Sequence, residues 1–295
     1  MASSSDDPAL GHTAYDDVMT DHQGRLRLTV LGNSTAVPHP ESAAAGYLVE
    51  WGDTAIMLDA GQGVIRSLQD RMDPHELSAV VIGHMHADHS LDLVGLRYLY
   101  PWGERAPDPL PVHLPPGGRA RLDALATGIS ERVGFFDDAY DAVEYDPSEP
   151  LVIGPLTIRF NKGRHYVPAW GLTVEAPDGA RIAYTGDTGP SDSVVDFSTD
   201  ADLLLIEAAL RLSTHDDLER GHLTPEEAID MATRTRARSA LLVHYSPTRR
   251  VELEAMCAAA GPWIRPACPG MTAIVRPGIP AVIVSPLDQE MVKTG

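Results

Sequence analysis

Apolar residues in this chain come in short runs that break off at polar or glycine-rich corners, the signature of many strands and few long helices. Arg25-Leu26-Arg27-Leu28-Thr29-Val30-Leu31 alternates polar and apolar side chains and predicts a first strand ending at Gly32-Asn33-Ser34. Residues 46–50 and 54–58 predict two strands joined across Trp51-Gly52-Asp53. Further strands are predicted at 79–82, 111–114, 156–160, 171–175, 181–185, 201–206 and 239–243, with Asp178-Gly179 as a hairpin turn. Helical spacing appears at 64–72, 91–99, 119–129 and 251–260, and after Thr224-Pro225-Glu226-Glu227, which combines an N-cap, a proline at the first helical position and a capping-box glutamate. Residues 271–275 and 281–284 are expected to add edge strands. Residues 130–150 are acidic and irregular, a lid or a solvated connection. The alternation of strands, helices and hairpins predicts a mixed α/β domain.

Into this pattern falls Gly83-His84-Met85-His86-Ala87-Asp88-His89, directly after the apolar run Ala79-Val80-Val81-Ile82. Three histidines and an aspartate at a strand end suit zinc or a similar divalent cation, and would oppose one another if buried without it. A lone histidine is more often a surface or satisfied core residue; four ligand-type side chains at this density are not explained that way. The aromatics in 97–103, just past this motif, read first as packing and second as a substrate wall, and His113 lies inside a predicted strand.

Composition narrows the context. With 295 residues and 43 % hydrophobic content, the chain suffices for one large domain, expected over 25–295 behind a flexible lead-in at 1–24, in which His12 and His22 are bystanders. Against 23 Lys+Arg stand 42 Asp+Glu, a net charge of −19 that repels polyanions at long range and disfavours nucleic acid as a partner. No signal peptide or membrane-length apolar run is visible, so a cytoplasmic protein without a membrane partner is expected. Cys257 and Cys268 lack metal-site spacing and read as ordinary buried thiols.

The His-x-His-x-Asp-His motif after a strand resembles that of the metallo-β-lactamase superfamily. The resemblance runs from about Arg25 to Val275 and implies an αββα sandwich, two mixed β-sheets face to face with helices outside. It also implies further ligands downstream: His165, Asp187 in Tyr184-Thr185-Gly186-Asp187-Thr188, and His244 in Leu241-Leu242-Val243-His244. Carried over position by position, His84, His86 and His165 hold one metal, Asp88, His89 and His244 a second, and Asp187 bridges them. Two zinc ions are implied, with manganese as the alternative. Asp59, at a strand end, matches a family aspartate that accepts from a ligand imidazole; a turn or N-cap role is the competing reading. Each implied ligand falls at or just past an apolar strand, which supports the site separately from the motif.

A dinuclear site turns a bridging water into a hydroxide nucleophile near neutral pH, which suits phosphodiesters, lactones, thioesters and β-lactams alike. Two segments resemble the ribonuclease Z and phosphodiesterase branch. His165-Tyr166-Val167-Pro168-Ala169-Trp170-Gly171 matches its His-x-x-Pro-x-x-Gly pattern. Leu205-Ile206-Glu207-Ala208 and Gly221-His222-Leu223-Thr224 resemble its paired Glu-Ala and His-Ser/Thr elements. The resemblance implies that His222 enters the site, oriented by Glu207, to protonate a leaving alkoxide; Asp88 counts with the catalytic residues as well as the ligands. Ribonuclease Z carries a long tRNA-binding arm between the equivalents of His165 and Asp187, whereas here a gap of only 22 residues holds a predicted hairpin. Small phosphodiesters or cyclic nucleotides are therefore the expected substrates, with Trp170 a base-stacking or core residue. Carbonyl hydrolysis by the same fold (lactonase, thioesterase or β-lactamase-like) is the alternative, tRNA 3′-processing the third reading, and a scaffold without turnover the fourth. A homodimer is compatible with the branch.

Overall fold

A computed structural model describes residues 24–100, 108–211 and 220–286. The expected lead-in, apart from Gly24, and Trp102 lie outside the described residues.

Two sheets lie face to face. The first has eight strands in the order β15-β14-β1-β2-β3-β4-β5-β6, and the second seven in the order β13-β12-β11-β10-β9-β8-β7. In the first, β1 (Leu26–Gly32), β2 (Gly46–Trp51) and β3 (Thr54–Leu58) run antiparallel, and β4 (Ala79–Val81), β5 (Leu110–Leu114) and β6 (Tyr140–Glu144) continue parallel to β3. The second repeats this scheme. There β7 (Leu151–Ile153), β8 (Leu156–Lys162), β9 (Trp170–Glu175) and β10 (Arg181–Tyr184) are antiparallel, then β11 (Leu203–Glu207), β12 (Ala240–Val243) and β13 (Ile264–Pro266) are parallel.

Central strands such as β4, β12 and the Leu203–Ile206 part of β11 are apolar on both faces because both faces are covered. In β11, Leu203 and Leu205 enter the core between the sheets, while Leu204 and Ile206 pack outward under helices. In β4, Ala79 and Val81 face the other sheet and Val80 faces out. The first outer layer is formed by α1 (Val64–Gln69), α2 (Ala87–Ser90), α3 (Leu93–Arg97) and α4 (Gly118–Ile129); the second by α5 (Asp192–Phe197), α6 (Pro225–Thr235) and α7 (Arg250–Ala260). This is the expected sandwich. The α6 start has the predicted capping box, with the Thr224 side chain accepting from Glu227 N–H and Glu227 accepting from Thr224 N–H.

Three expectations change. Residues 130–150 are neither lid nor plain connection, because they include β6, which pairs along β5 as an edge strand. Its alternation is weak because Asp141 and Glu144 face solvent while Tyr140 is buried. Residues 272–275 form β14 (Thr272–Val275), which is interior between β1 and β15 (Val282–Val284), so only the latter is an edge. A short apolar run late in a chain looks the same at either place. The helix expected at 91–99 is α3 alone, preceded by the separate turn α2 that carries Asp88 and His89.

Backbone contacts lace the β3 end to that turn. Ala60 N–H donates to His89 O (2.7 Å), Ala45 N–H to Asp88 O (3.2 Å) and Asp92 N–H to Ala60 O (2.9 Å). Gly61 permits this approach, since a Cβ there would lie 2.0 Å from the Asp88 carbonyl oxygen. Gly61→Ala should therefore destabilise the fold by about 1–3 kcal/mol through forced overpacking, read as a lower urea midpoint; an unchanged midpoint would show that the turn can give way.

Candidate metal centre

The strand ends that meet at one edge of the sandwich deliver the polar side chains. Asp59 follows β3, the His84 to His89 cluster follows β4, and His165 and Asp187 follow β8 and β10. Glu207 ends β11 and His244 follows β12. Two of these residues are held in the left-handed region, Asp59 at φ 58° and His244 at φ 50°, a conformation uncommon outside glycine and typical of functional corners.

The seven implied ligands come together in two groups that share a member. Ligand-type atoms of His84, His86, His165 and Asp187 lie within 4.8 Å of one another, and so do those of Asp88, His89, Asp187 and His244. In the first group His86 Nδ1 is 3.1 Å from both His84 Nε2 and His165 Nε2. In the second, His244 Nε2 is 3.1 Å from Asp88 Oδ2. Asp187 Oδ2 is 3.3 Å from His89 Nε2 but off the direction of a hydrogen bond.

These residues fit a divalent cation. Three imidazole nitrogens converge where protons cannot satisfy them all, and His89 Nε2, Asp187 Oδ1 and His244 Nδ1 are buried without hydrogen-bond partners among the described residues. Such orphans are costly unless something absent from the chain itself engages them. The protonation states of His84, His86, His165 and Asp187 agree with that demand. Burial, with help from neighbouring imidazoles, holds His84, His86 and His165 below the usual histidine range, leaving them neutral. Burial opposes charge on Asp187, yet His244 and His89 hold it well below the usual carboxylate range. For His89 burial is outweighed by the Asp187 and Asp59 carboxylates, which push it up.

Outer contacts orient the rings. Asp59 Oδ2 accepts from His89 Nδ1 (2.8 Å) and Asp59 Oδ1 from Gly83 N–H (2.8 Å). The Gly221 carbonyl accepts from His165 Nδ1 (2.7 Å), so Nε2 points into the cluster. A backbone carbonyl leaves no trace in sequence, and Gly221 is not discernible there as a site residue.

Beside the cluster, His222 Nδ1 donates to Glu207 Oε1 (2.9 Å) and its ring lies parallel to that of His244 at 5.6 Å. Glu207 is fully buried and also accepts N–H bonds from Thr188 (2.7 Å), Leu223 (3.1 Å) and Ala209 (3.2 Å). Burial lowers His222, but the Glu207 carboxylate prevails and raises it to about 9. A cleft of about 460 Å³ opens on these groups, lined among others by Thr35, Ala36, His86, Asp88, His222 and His244. A groove of about 440 Å³ between α7 and β13 is lined by none of them.

Of the two readings of Trp170, base-stacking and core, the structure gives the core, which corrects the substrate-binding role. Its side chain is 8 % exposed, packs in the inter-sheet core edge-on to Tyr145, and does not line the cleft, because the first residue of β9 points into the sandwich. The aromatic at the site is its neighbour Tyr166, 44 % exposed, with its ring 5.0 Å from His165 and 5.6 Å from His222. His113 is half-buried in β5, in register with Val81 and outside the ligand groups.

Residues 54–245 match the Beta-lactamase superfamily domain, and the chain belongs to that superfamily as a metallo-hydrolase. An uncharacterized protein of Mycobacterium tuberculosis is 34 % identical, the match covering 75 % of this chain and 81 % of that one. Ribonuclease Z of Halobacterium salinarum is 29 % identical, covering 75 % and 87 %. Among solved structures, the metallo-β-lactamase fold protein YhfI of Bacillus subtilis superposes with a TM-score of 0.73 at 24 % identity, covering 84 % of this chain and 99 % of that one. Yeast PDE1 superposes with a TM-score of 0.65 at 14 % identity, covering 85 % and 99 %; both likenesses are of fold. Among the described residues no helix is long and apolar enough to cross a membrane.

A cation that binds only the folded arrangement stabilises it by mass action. Zinc added to chelator-stripped protein should raise the midpoint of thermal unfolding, and His86→Ala should reduce that rise. An unchanged midpoint in the parent protein would contradict the metal centre.

Proposed function

We propose that this metallo-hydrolase is a phosphodiesterase acting on small phosphodiesters or cyclic nucleotides. The observation that carries the reading is the Glu207–His222 pair at the cleft, a charged imidazole beside the ligand groups with a fully buried carboxylate behind it. Carbonyl hydrolysis has no assigned work for that pair.

In this reading His84, His86 and His165 would hold one zinc or manganese ion and Asp88, His89 and His244 another, with Asp187 available to both. Such a pair of cations supplies a nucleophile active near neutral pH and a Lewis-acid pull on a phosphoryl oxygen. The chain does the rest. His222 gives its proton to the departing alkoxide, a group too basic to leave well as an anion. Glu207, fixed by N–H groups from three segments, keeps the imidazole charged and aimed. Asp88 accepts from His244, so its catalytic share is to set that ring and complete the ligand set.

Substrate size follows from what lies between His165 and Asp187. There β9 and β10 form a tight antiparallel hairpin, pairing from Arg181–Glu175 to Tyr184–Leu172. Nothing in it projects as a tRNA-gripping arm. With a net charge of −19, a small diester is favoured over a folded RNA.

The test is turnover of bis(p-nitrophenyl) phosphate, cyclic AMP, a tRNA precursor and a lactone by zinc- and manganese-loaded protein. Turnover of the two small diesters without tRNA cleavage is expected; lactone turnover alone would overturn the reading. His222→Ala should lower kcat on cyclic AMP by about 10²- to 10⁴-fold with a smaller change in KM, and should cost less on the p-nitrophenyl diester, whose leaving group needs no proton.

The pH profile gives a second check. His222 is raised above its ordinary value, so its proton-donating form persists at neutral pH and is lost as pH rises through about 9. Glu207→Gln removes the carboxylate that raises it and leaves the burial that lowers it. The alkaline limb of kcat for cyclic AMP should therefore move to lower pH in Glu207→Gln; an unmoved limb would detach His222 from proton transfer.

A further inference from the structure

Beneath the metal centre, a side chain that is not itself an implied ligand ties the two sheets together. Tyr184 ends β10, three residues before Asp187, and is 1 % exposed. Its ring lies against Tyr47 of the facing sheet, with centroids 5.0 Å apart. Its hydroxyl donates to Asp59 Oδ2 at 2.8 Å, the same oxygen that accepts from His89 Nδ1 at 2.8 Å. The other oxygen, Oδ1, accepts from Gly83 N–H. Asp59 is thus held by three donors, two from the stretch 83–89 and the Tyr184 hydroxyl from the opposite sheet.

We propose that Tyr184 is a positioning residue for the cation site made by Asp88, His89, Asp187 and His244, acting through Asp59; the proposal rests on the two-cation reading above. The hydroxyl restrains rotation of the Asp59 carboxylate. Oriented in this way, the carboxylate accepts a hydrogen bond from His89 Nδ1–H, which selects the tautomer whose Nε2 is bare. Nε2 is the buried atom without a partner that faces Asp187. Because Tyr184 and Asp187 share one backbone segment, the same contact sets the shared carboxylate against the His89 ring across the gap between sheets. Among the described residues the other group, His84, His86 and His165, makes no side-chain hydrogen bond to Asp59 or the Tyr184 hydroxyl, and His165 is oriented instead by the Gly221 carbonyl.

The competing view is that Tyr184 only fills the core. Tyr184→Phe separates the two, since it keeps the ring and removes the hydroxyl. Tyr47→Phe is the matched control, because the Tyr47 hydroxyl is buried in the same ring pair and has no hydrogen-bond partner among the described residues. Chelator-stripped parent protein, Tyr184→Phe, Tyr47→Phe, Asp59→Asn and the Tyr184→Phe/Asp59→Asn double variant would be titrated with Zn²⁺ against a chromogenic competitor, their folding followed by circular dichroism and thermal unfolding without metal.

The parent should take up two equivalents. In Tyr184→Phe one binding event should stay as in the parent and the other weaken by about 10- to 100-fold, the usual cost of losing an outer contact to a ligand. Tyr47→Phe should match the parent. In the Asp59→Asn background Tyr184→Phe should add no further weakening, since the two act in series. Parent-like binding in Tyr184→Phe, equal weakening of both events, additivity with Asp59→Asn, or loss of the fold in Tyr184→Phe would each overturn the proposal. Uptake of one equivalent or none by the parent would overturn the two-cation reading first.

Discussion

Imidazole and carboxylate groups aimed at a common point cannot satisfy one another, and this unmet demand is what the rest of the structure is built to sustain. His86 Nδ1 faces two other imidazole nitrogens at 3.1 Å, and three further polar atoms are buried nearby without partners. Holding such groups together is unfavourable, so the scaffold must be stiff enough to prevent their retreat. Stiffness comes from three apolar layers. One fills the space between the sheets and two lie under the helices, so that strands such as β11 are clamped on both faces. The chain spends part of that packing energy on two residues in left-handed conformations at strand ends, Asp59 and His244.

The two halves of the chain use the same device. Each has an antiparallel hairpin region that passes into parallel strands, and in each the parallel part brings strand ends to the same edge. The first half contributes a compact cluster on a strand end and one helical turn. The second contributes single residues after separate strands. Asp187 lies between both groups, and the sheets are tied nearby through Tyr184 and Asp59. Geometry of the centre is therefore a property of how the two sheets pack, more than of any one loop.

Much of this could be read before any coordinates. The period of apolar residues located most strands, because central strands buried on both faces leave unbroken runs such as Leu203-Leu204-Leu205-Ile206. The ligand-type residues were legible because imidazoles and carboxylates at strand ends contrast with such runs. What escaped depends on three-dimensional neighbours. The edge strand β6 has an exposed acidic face and so no clear alternation. Trp170 and Tyr166 sit four residues apart in one motif, and only the register of β9 shows that the tryptophan points into the core while the tyrosine is at the site. The Gly221 carbonyl and the Tyr184 hydroxyl act through a backbone group and through an ordinary strand residue, for which composition offers no signal.

The central claim is that two cations share Asp187, each completed by its own group of ligands. The most direct measurement is a crystal structure of the zinc-loaded protein with anomalous data on either side of the zinc absorption edge. Two anomalous peaks are expected, one among His84, His86 and His165 and one among Asp88, His89 and His244, with an Asp187 oxygen coordinated to both. A single peak, or peaks away from Asp187, would contradict the account.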